Sequence, residues 1–586
     1  MKMHSKRQPL QCLVLATLAY ACLAVAPAHA TNPITLDTNP HYLNYNSQTT
    51  VLAGMSGDDL PHVLRPDLKD TFCTFDVVNQ TTGQRSYQRC SFRLQAFGLN
   101  KMQLWISLNS SSGLERLTPP APYQDEQPFT YSAPLWNLNS YNSTYFSNLN
   151  AVITDALSRN PNIIVEVVLF DPWNGYHDNP STSPWSPGRN TGFNGNGNTV
   201  DFTQNRYMVS YEHGSGNPDG GTDSTPSIQN ARILQQRLVA QVVHALKGFP
   251  NIYYEIANEP DLVPANSQTP PDTMAMINWH NFIARTIAAN DSNPPHLIAV
   301  NMMTQNALNL ASLFDSNIKI VNGHYVELIN SPSSTITFGA LPLIENYWNG
   351  PNGSLALTFG FNESRSVPIP VIVGARAEAW EFMLNEGSVY DNYNVNFIDP
   401  GSAAVRGYLG RLLTFLQPIS LTNINWRQNG SSPGWAGGLS ASGTQTAEDQ
   451  PTGKTYWGAI QHPNHSYALY LHHSCLTTIL NQHRYKPVCS SAGYQETLQL
   501  VPGKNTGSVT YKVDWITPDQ DAPVCSQVIS WAGTGFVQVT SPKYPFDLAL
   551  RLTLCSGSSC PTLTDCSTAQ SPACPLNTYP DAATCP

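Results

Sequence analysis

The sequence predicts an α/β chain: a (β/α)8 TIM barrel, followed by an all-β sandwich domain and a Cys-rich C-terminal tail. Three observations carry this expectation. Between about residue 45 and residue 416, short apolar runs alternate with longer helical patterns. From about residue 420 the runs become short, alternating and separated by Gly, Pro and Asn. Beyond residue 555 the periodicity fades while cysteines accumulate.

The apolar runs are TVLAGM (50–55), KMQLWISL (101–108), NIIVEVVLF (162–170), NIYYEIA (251–257), HLIAVN (296–301), IKIVNGHYV (318–326), IPVIVGA (369–375) and SVYDNYNV (388–395). Strands buried on both faces lose the alternation of polar and apolar residues, as these have. Helical spacing falls between them, as in ARILQQRLVAQVVHALKG at 231–248. An open doubly wound sheet is the alternative, but no glycine-rich phosphate loop follows the first run. Residues 174–226, rich in Asn, Gly, Ser and Pro, read as a long insertion over a cleft.

After residue 420, SYALYLHHS, YQETLQLVPG, GSVTYKVDWITP, CSQVISWAG, GFVQVTSP and FDLALRLTLCS read as strands of a sandwich. The expected boundaries are 1–30 for a signal peptide, 31–418 for the barrel, 419–555 for the sandwich and 556–586 for a disulfide-rich tail.

The leader follows from Lys2, Lys6 and Arg7, an apolar run, and Ala28-His29-Ala30 at a cleavage spacing. A lipoprotein leader using Cys22 is the competing reading, with Ala19 where leucine is usual. The expected location is secreted, either periplasmic or extracellular. No later run has the eighteen apolar residues that a membrane span needs. Ten cysteines remain beyond the leader, an even number that reads as disulfides in an exported chain. Cys73 and Cys90, and Cys475 and Cys489, are near enough to pair locally. Cys525, Cys555, Cys560, Cys566, Cys574 and Cys585 crowd the end, with connectivity open.

Only 12% of the 586 residues are charged and the net charge is -10, so no basic stripe is available for nucleic acid. A composition rich in Asn, Ser, Thr, Tyr and Trp suits neutral, hydroxyl-rich ligands. No His or Cys cluster has zinc spacing, and no cofactor or metal is expected.

Barrel enzymes carry their chemistry at the carboxyl ends of strands. There the chain offers Asn258 and Glu259, Asp171 and Trp173, Asn301, His324 and Tyr325, Arg376 and Glu378, and Asp391. Asp171 and Trp173 suit a sugar hydroxyl and a pyranose face, or equally a turn and the core. His324 and Tyr325 suit contact with substrate or a catalytic carboxylate, or a buried structural role. Glycoside hydrolysis commonly uses two carboxyl groups across the scissile bond.

Asn258-Glu259-Pro260, ending the fourth strand, resembles the acid/base signature of clan-A glycoside hydrolases, which are retaining barrel enzymes. NPHYLNYNSQTTVLAGMSG (39–57) and AEAWEFMLNEGSVYDNYNVNF (377–397) resemble bacterial barrel proteins related to the apiosidase-like group. LVPGKNTGSVTYKVDWITP and SPKYPFDLALRL resemble the sandwich appended to them. The resemblance implies a carbohydrate substrate, Glu259 as acid/base, and a nucleophilic glutamate at the end of the seventh strand. With IPVIVGA as that strand, Ala375 stands at the expected place and Glu378 is the nearest carboxylate. Gln103 lies near where the family has an arginine.

The expectation is therefore a secreted retaining glycoside hydrolase with Glu259 and Glu378 catalytic. Asn258, His324, Tyr325, Asp171, Trp173, Arg376 and Asp391 would bind substrate. A non-catalytic glycan binder, a surface adhesion protein, and a hydrolase using Glu345 or Glu327 remain as alternatives.

Overall fold

The computed structural model describes residues 33–56, 75–78, 85–87, 98–106, 127–132, 134–170, 184, 190–191, 226–260, 273–302, 311–324, 357–364, 372–393, 400–419, 421, 436–439, 454–462, 466–479, 482–487, 493–500, 508–533, 537–555 and 566–569. Eight parallel strands form one sheet in it. They are β1 (Leu52–Ser56), β2 (Lys101–Trp105), β3 (Ile164–Phe170), β4 (Ile252–Ala257), β5 (Ile298–Met302), β6 (Ile318–His324), β7 (Thr358–Ser364) and β8 (Val389–Tyr393). Their spatial order is β1-β8-β7-β6-β5-β4-β3-β2. Between β1 and β2 the side chain of Asn100 joins the edges, with Nδ2 donating to the Val51 carbonyl at 2.8 Å and Oδ1 accepting from Ala53 N–H at 2.9 Å. An amide side chain thereby reproduces the pairing of a backbone unit and brings the ring to closure.

Seven of the eight strands fall on the expected runs. The seventh does not. IPVIVGA is not a barrel strand: from Ile372 it belongs to a helix, Ile372–Met383, while the seventh strand is TFGFNES at 358–364. Intrinsic preference for a β-branched run is weak, and packing overrides it. Phe359 and Phe361 leave the outward face of β7 and meet Phe382 of that helix at ring separations of 5.9 and 5.8 Å. IPVIVGA supplies no such pair of aromatics two residues apart.

The helices are α1 (Ser143–Arg159), α2 (Pro226–Leu246), α3 (Thr273–Asn290), α4 (Ile372–Met383) and α5 (Pro400–Leu416). Outward strand residues such as Val165, Val167, Ile252, Tyr254 and Val321 pack with them in one continuous core. At the amino end of the barrel a small three-stranded sheet (Thr35–Leu36, Leu43–Tyr45, Gln48–Thr50) inserts Leu43 and Tyr45 beneath Leu52, Ile164, Tyr253, Ile320 and Val389. That end is plugged with apolar side chains, which leaves the carboxyl end for chemistry.

Beyond residue 435 lie a three-stranded sheet and a six-stranded sheet, both antiparallel. Leu498, Leu500 and Val539 of the smaller sheet share a core with Leu469, Leu471, Val513, Trp515, Leu550 and Leu552 of the larger. Cys525 and Cys566 form a disulfide that spans 41 residues. The larger sheet also meets α4. Tyr470 packs on Trp380 with ring centroids 5.5 Å apart, and His472 Nε2 lies 3.0 Å from Glu381 Oε2. No helix among the described residues is long and apolar enough to cross a membrane.

Candidate active site

The fourth strand ends in the sequence IANEP. Tyr253, Glu255 and Ala257 occupy its inward row, and Glu259 continues that row beyond the last ladder residue. Glu259 has φ +47°, in the left-handed region where non-glycine residues are rare. Such a conformation costs on the order of 1–3 kcal/mol and persists only where the surroundings hold it. They do so here. Asn301 Oδ1, at the end of β5, accepts from the Glu259 N–H at 3.3 Å, and His324 Nδ1, at the end of β6, lies 3.2 Å from Glu259 Oε1. Asn258 N–H donates to the Phe170 carbonyl at 3.0 Å, tying the same segment to β3. Glu259 is 4% exposed and His324 is fully buried.

On the far side of His324 the β6–β7 ladder is irregular. Asn322 pairs with Gly360, but His324 pairs with Glu363, so β6 advances two residues while β7 advances three. An extra residue of this kind reverses the in–out alternation of a strand. Backbone position 363 thereby falls level with His324, which touches Glu259. A carboxylate-bearing residue thus stands at the end of the true seventh strand. The sequence reading missed Glu363, and its signal was the run LTFGFNES, whose Asn-Glu-Ser ending resembles the ending of β4.

Beneath this rim the barrel interior is charged. Lys101 Nζ pairs with Glu166 Oε2 at 2.5 Å and with Asp391, all three with fully buried side chains. Asn322 Nδ2 donates to Glu166 Oε1 at 3.0 Å and to Glu255 Oε2 at 2.8 Å. Burial alone would raise the carboxyl of Glu166, but the Lys101 ammonium holds it below the ordinary value. Glu255 is raised well above that value, by burial and then by the neighbouring Glu166. Burial would lower the ammonium of Lys101, yet Asp391 and Glu166 keep it above its usual range. In this layer the charged forms of Lys101 and Glu166 support each other, while Glu255 is pushed towards its neutral form. Gln103 joins this layer by donating weakly to Glu166 at 3.4 Å and accepting from the Trp105 indole at 3.1 Å.

The other expected site residues are scattered. Glu378 sits on α4, outside the barrel wall, where its Oε1 accepts from the Tyr390 hydroxyl at 2.9 Å. Tyr390 belongs to the outward row of β8 and packs on Phe361 and Phe382. This geometry does not bring Glu378 to Glu259. Arg376, also on α4, is buried and paired with Asp547 Oδ1 at 2.7 Å, its guanidinium over Tyr408 at 4.7 Å. It joins the helix to the larger antiparallel sheet instead of facing the barrel mouth. Asp391 lies inside the barrel against Lys101, below the rim. Tyr325, Asp171, Trp173, Glu327 and Glu345 lie outside the described residues. Among the described residues no group of His, Cys, Asp and Glu has an arrangement suited to a metal ion.

No protein-family model matches the chain, and no curated protein matches it. Solved structures do. A glycoside hydrolase family 5 protein from Bacteroides vulgatus superposes with TM-score 0.50 at 11% identity, covering 93% of this chain and 98% of that one. A second structure, described as a glycoside hydrolase, gives 0.49 at 11% identity over 90% and 98%. The β-mannanase of the blue mussel Mytilus edulis gives 0.37 at 12% identity over 65% and 96%. At such identities the likeness to the Bacteroides vulgatus protein concerns the fold alone, a parallel eight-stranded barrel.

Proposed function

We propose that this protein is a secreted retaining glycoside hydrolase acting on a poly- or oligosaccharide, with Glu259 as acid/base and Glu363 as nucleophile. The observation that carries the reading is the relation of these two residues through His324: its imidazole touches the Glu259 carboxyl, and its backbone pairs in register with Glu363 in the β6–β7 ladder. Glu363 takes the role first expected of Glu378, because the seventh strand runs from Thr358 to Ser364 and carries Glu363 next to its end. The binder alternative rested on Ala375 standing at the end of the seventh strand, and that strand lies elsewhere. The fold likeness to a family 5 glycoside hydrolase supports the reading at the level of architecture.

In the first step Glu259 delivers its proton to the glycosidic oxygen as the bond to the anomeric carbon breaks. A Glu363 oxygen bonds to that carbon from the opposite face. In the second, water attacks the same carbon, gives its proton to Glu259 and releases the Glu363 carboxylate. This chemistry requires the two carboxyl groups about 5–5.5 Å apart. Asn258, Tyr325, Asp171 and Trp173 are proposed to line the sugar subsites. The leader at 1–30, the domain boundaries at 418 and 555, a disulfide-rich tail, a sandwich like that of the apiosidase-like group, and export to the periplasm or medium belong to the same proposal. The Cys525–Cys566 disulfide is consistent with an oxidising compartment.

The test is sugar release from a panel of plant and bacterial glycans and aryl glycosides. Glu259→Gln and Glu363→Gln should each lose at least about a thousandfold, within the range for removal of an essential acid or nucleophile. Glu378→Gln should stay within about tenfold of the parent. A parent that binds a glycan yet releases nothing would sink the enzyme reading, and full activity of Glu363→Gln would sink the nucleophile.

A further inference from the structure

The inward polar layer contains one residue that reaches every strand bearing the proposed machinery. Asn322 lies on β6, two residues before His324. Its Nδ2 hydrogens both act: one reaches Glu166 on β3 at 3.0 Å, the other Glu255 on β4 at 2.8 Å. Its Oδ1 points the other way, to β7. A Cβ built on Gly360 would stand 2.1 Å from that oxygen, so the amide occupies the space where any other residue at 360 would put its side chain. Directly after this contact the β6–β7 register shifts by one residue and brings position 363 level with His324.

We propose that Asn322 is a positioning residue of the glycosidase centre: from inside the barrel it ties β4, which carries Glu259, to β7, which carries Glu363, and so sets the separation of the two carboxyl groups. The proposal rests on the reading of Glu259 and Glu363 as the catalytic pair.

The physical argument is one of fit. Strand 7 approaches Asn322 closely because residue 360 lacks a side chain, and a bulge then follows, which re-aims the strand end. On the opposite side the amide cannot slide, because both of its hydrogens are held by carboxyl groups that are themselves buried. Glu166 is anchored by Lys101, and Lys101 in turn by Asp391 on β8. The groups facing Asn322 are therefore Glu166 from β3, Glu255 from β4 and Gly360 from β7, with His324 above it on its own strand. Replacing the amide by an apolar side chain of similar size keeps the volume and removes the three-way register. Such misplacement of reacting groups by about 1 Å costs on the order of a hundredfold in rate.

The experiment compares the parent with Asn322→Leu, Asn322→Ser, Gly360→Ala and the double variant Gly360→Ala with Asn322→Ala. Each is assayed per folded molecule, with folding followed by near-ultraviolet circular dichroism. Asn322→Leu and Gly360→Ala should lose about a hundredfold in kcat with KM within about threefold of the parent. Asn322→Ser, which keeps a small polar group, should lose less. The double variant should recover part of the loss of Gly360→Ala, because the clashing oxygen is gone. Two carboxyl groups moved apart repel less, so the bell-shaped pH profile of kcat/KM should narrow in Asn322→Leu and Gly360→Ala. A purely structural role would lower the folded fraction and leave that profile alone. Folded Asn322→Leu and Asn322→Ser with parental kcat and an unchanged bell overturn the proposal. So does a double variant no more active than Gly360→Ala alone. A parent that hydrolyses no glycan fails the underlying reading instead, whereas an active parent with indifferent Asn322 variants fails this inference alone.

Discussion

Nδ1 of His324 lies 3.2 Å from Oε1 of Glu259, on neighbouring inward rows separated by one strand, and both side chains are shut away from solvent. In the proposed retaining cycle one ring nitrogen would serve both halves. It accepts from the carboxyl while Glu259 is protonated and, in the other tautomer, donates to the carboxylate once the proton has left. His324→Phe should therefore impair proton delivery. Turnover of unactivated glycosides is expected to fall by about 10²-fold or more, and turnover of aryl glycosides with acidic leaving groups by much less. Equal losses on both substrates would exclude this role.

Gly54, on β1, is the counterpart of Gly360 on the other side of the charged layer. A Cβ there would stand 2.6 Å from Asp391 Oδ1 and 2.6 Å from the Lys101 carbonyl oxygen. The carbonyl cannot move without its strand. Gly54→Ala is expected to cost about 1–3 kcal/mol or more of stability, read as a lower denaturant midpoint at constant slope. A midpoint equal to the parent's would show that the layer yields.

Arg376 and Asp547 form a buried pair between α4 and the larger antiparallel sheet, reinforced by the Tyr470 hydroxyl on Asp547 Oδ2 at 2.8 Å. Removing one partner strands the other. Asp547→Ala should destabilise by about 3–5 kcal/mol, while Arg376→Met with Asp547→Leu should be far less costly. Because Arg376 stands away from the barrel mouth, KM for any glycan that the parent cleaves should not change in folded Arg376→Met. A rise in KM would return Arg376 to the substrate site.

His280 on α3 is buried, and its Nδ1 lies 2.8 Å from the Met276 carbonyl oxygen. Burial lowers its pKa from 6.5 to about 4. The folded state therefore binds fewer protons than the unfolded state between these values. Stability is unaffected by this group above pH 6.5 and declines as pH falls from 6.5 towards 4, by an amount on the order of 3 kcal/mol. His280→Gln should flatten that slope in denaturation series at several pH values. An unchanged slope would assign it to other groups.

Much of this was legible in the chain. Near-continuous apolar runs marked seven strands, and Asn-Glu-Pro marked the end of β4. The seventh strand was not legible, because IPVIVGA is the better strand by composition. TFGFNES contains a glycine that reads as a breaker until Asn322 is found opposite it. Likewise Lys101, Glu166, Glu255 and Asp391 interrupt their apolar runs as isolated charges, and only closure of the ring turns them into partners. Arg376 and Glu378 follow an apolar run in sequence, as strand-end residues do, but they belong to a helix whose polar groups face a neighbouring sheet and the outer wall.

Sequence alone determined the number and parallel sense of the strands and the candidate acid, Glu259, because burial on two faces and a proline after a glutamate are local facts of composition. Which glutamate is the candidate partner became legible only in the tertiary structure, through the backbone register of Glu363 with His324. That reading depends on a one-residue register shift between β6 and β7, which follows the close approach of an amide and a glycine 38 positions apart in the chain. Contacts between residues so distant are written in no single stretch of the sequence.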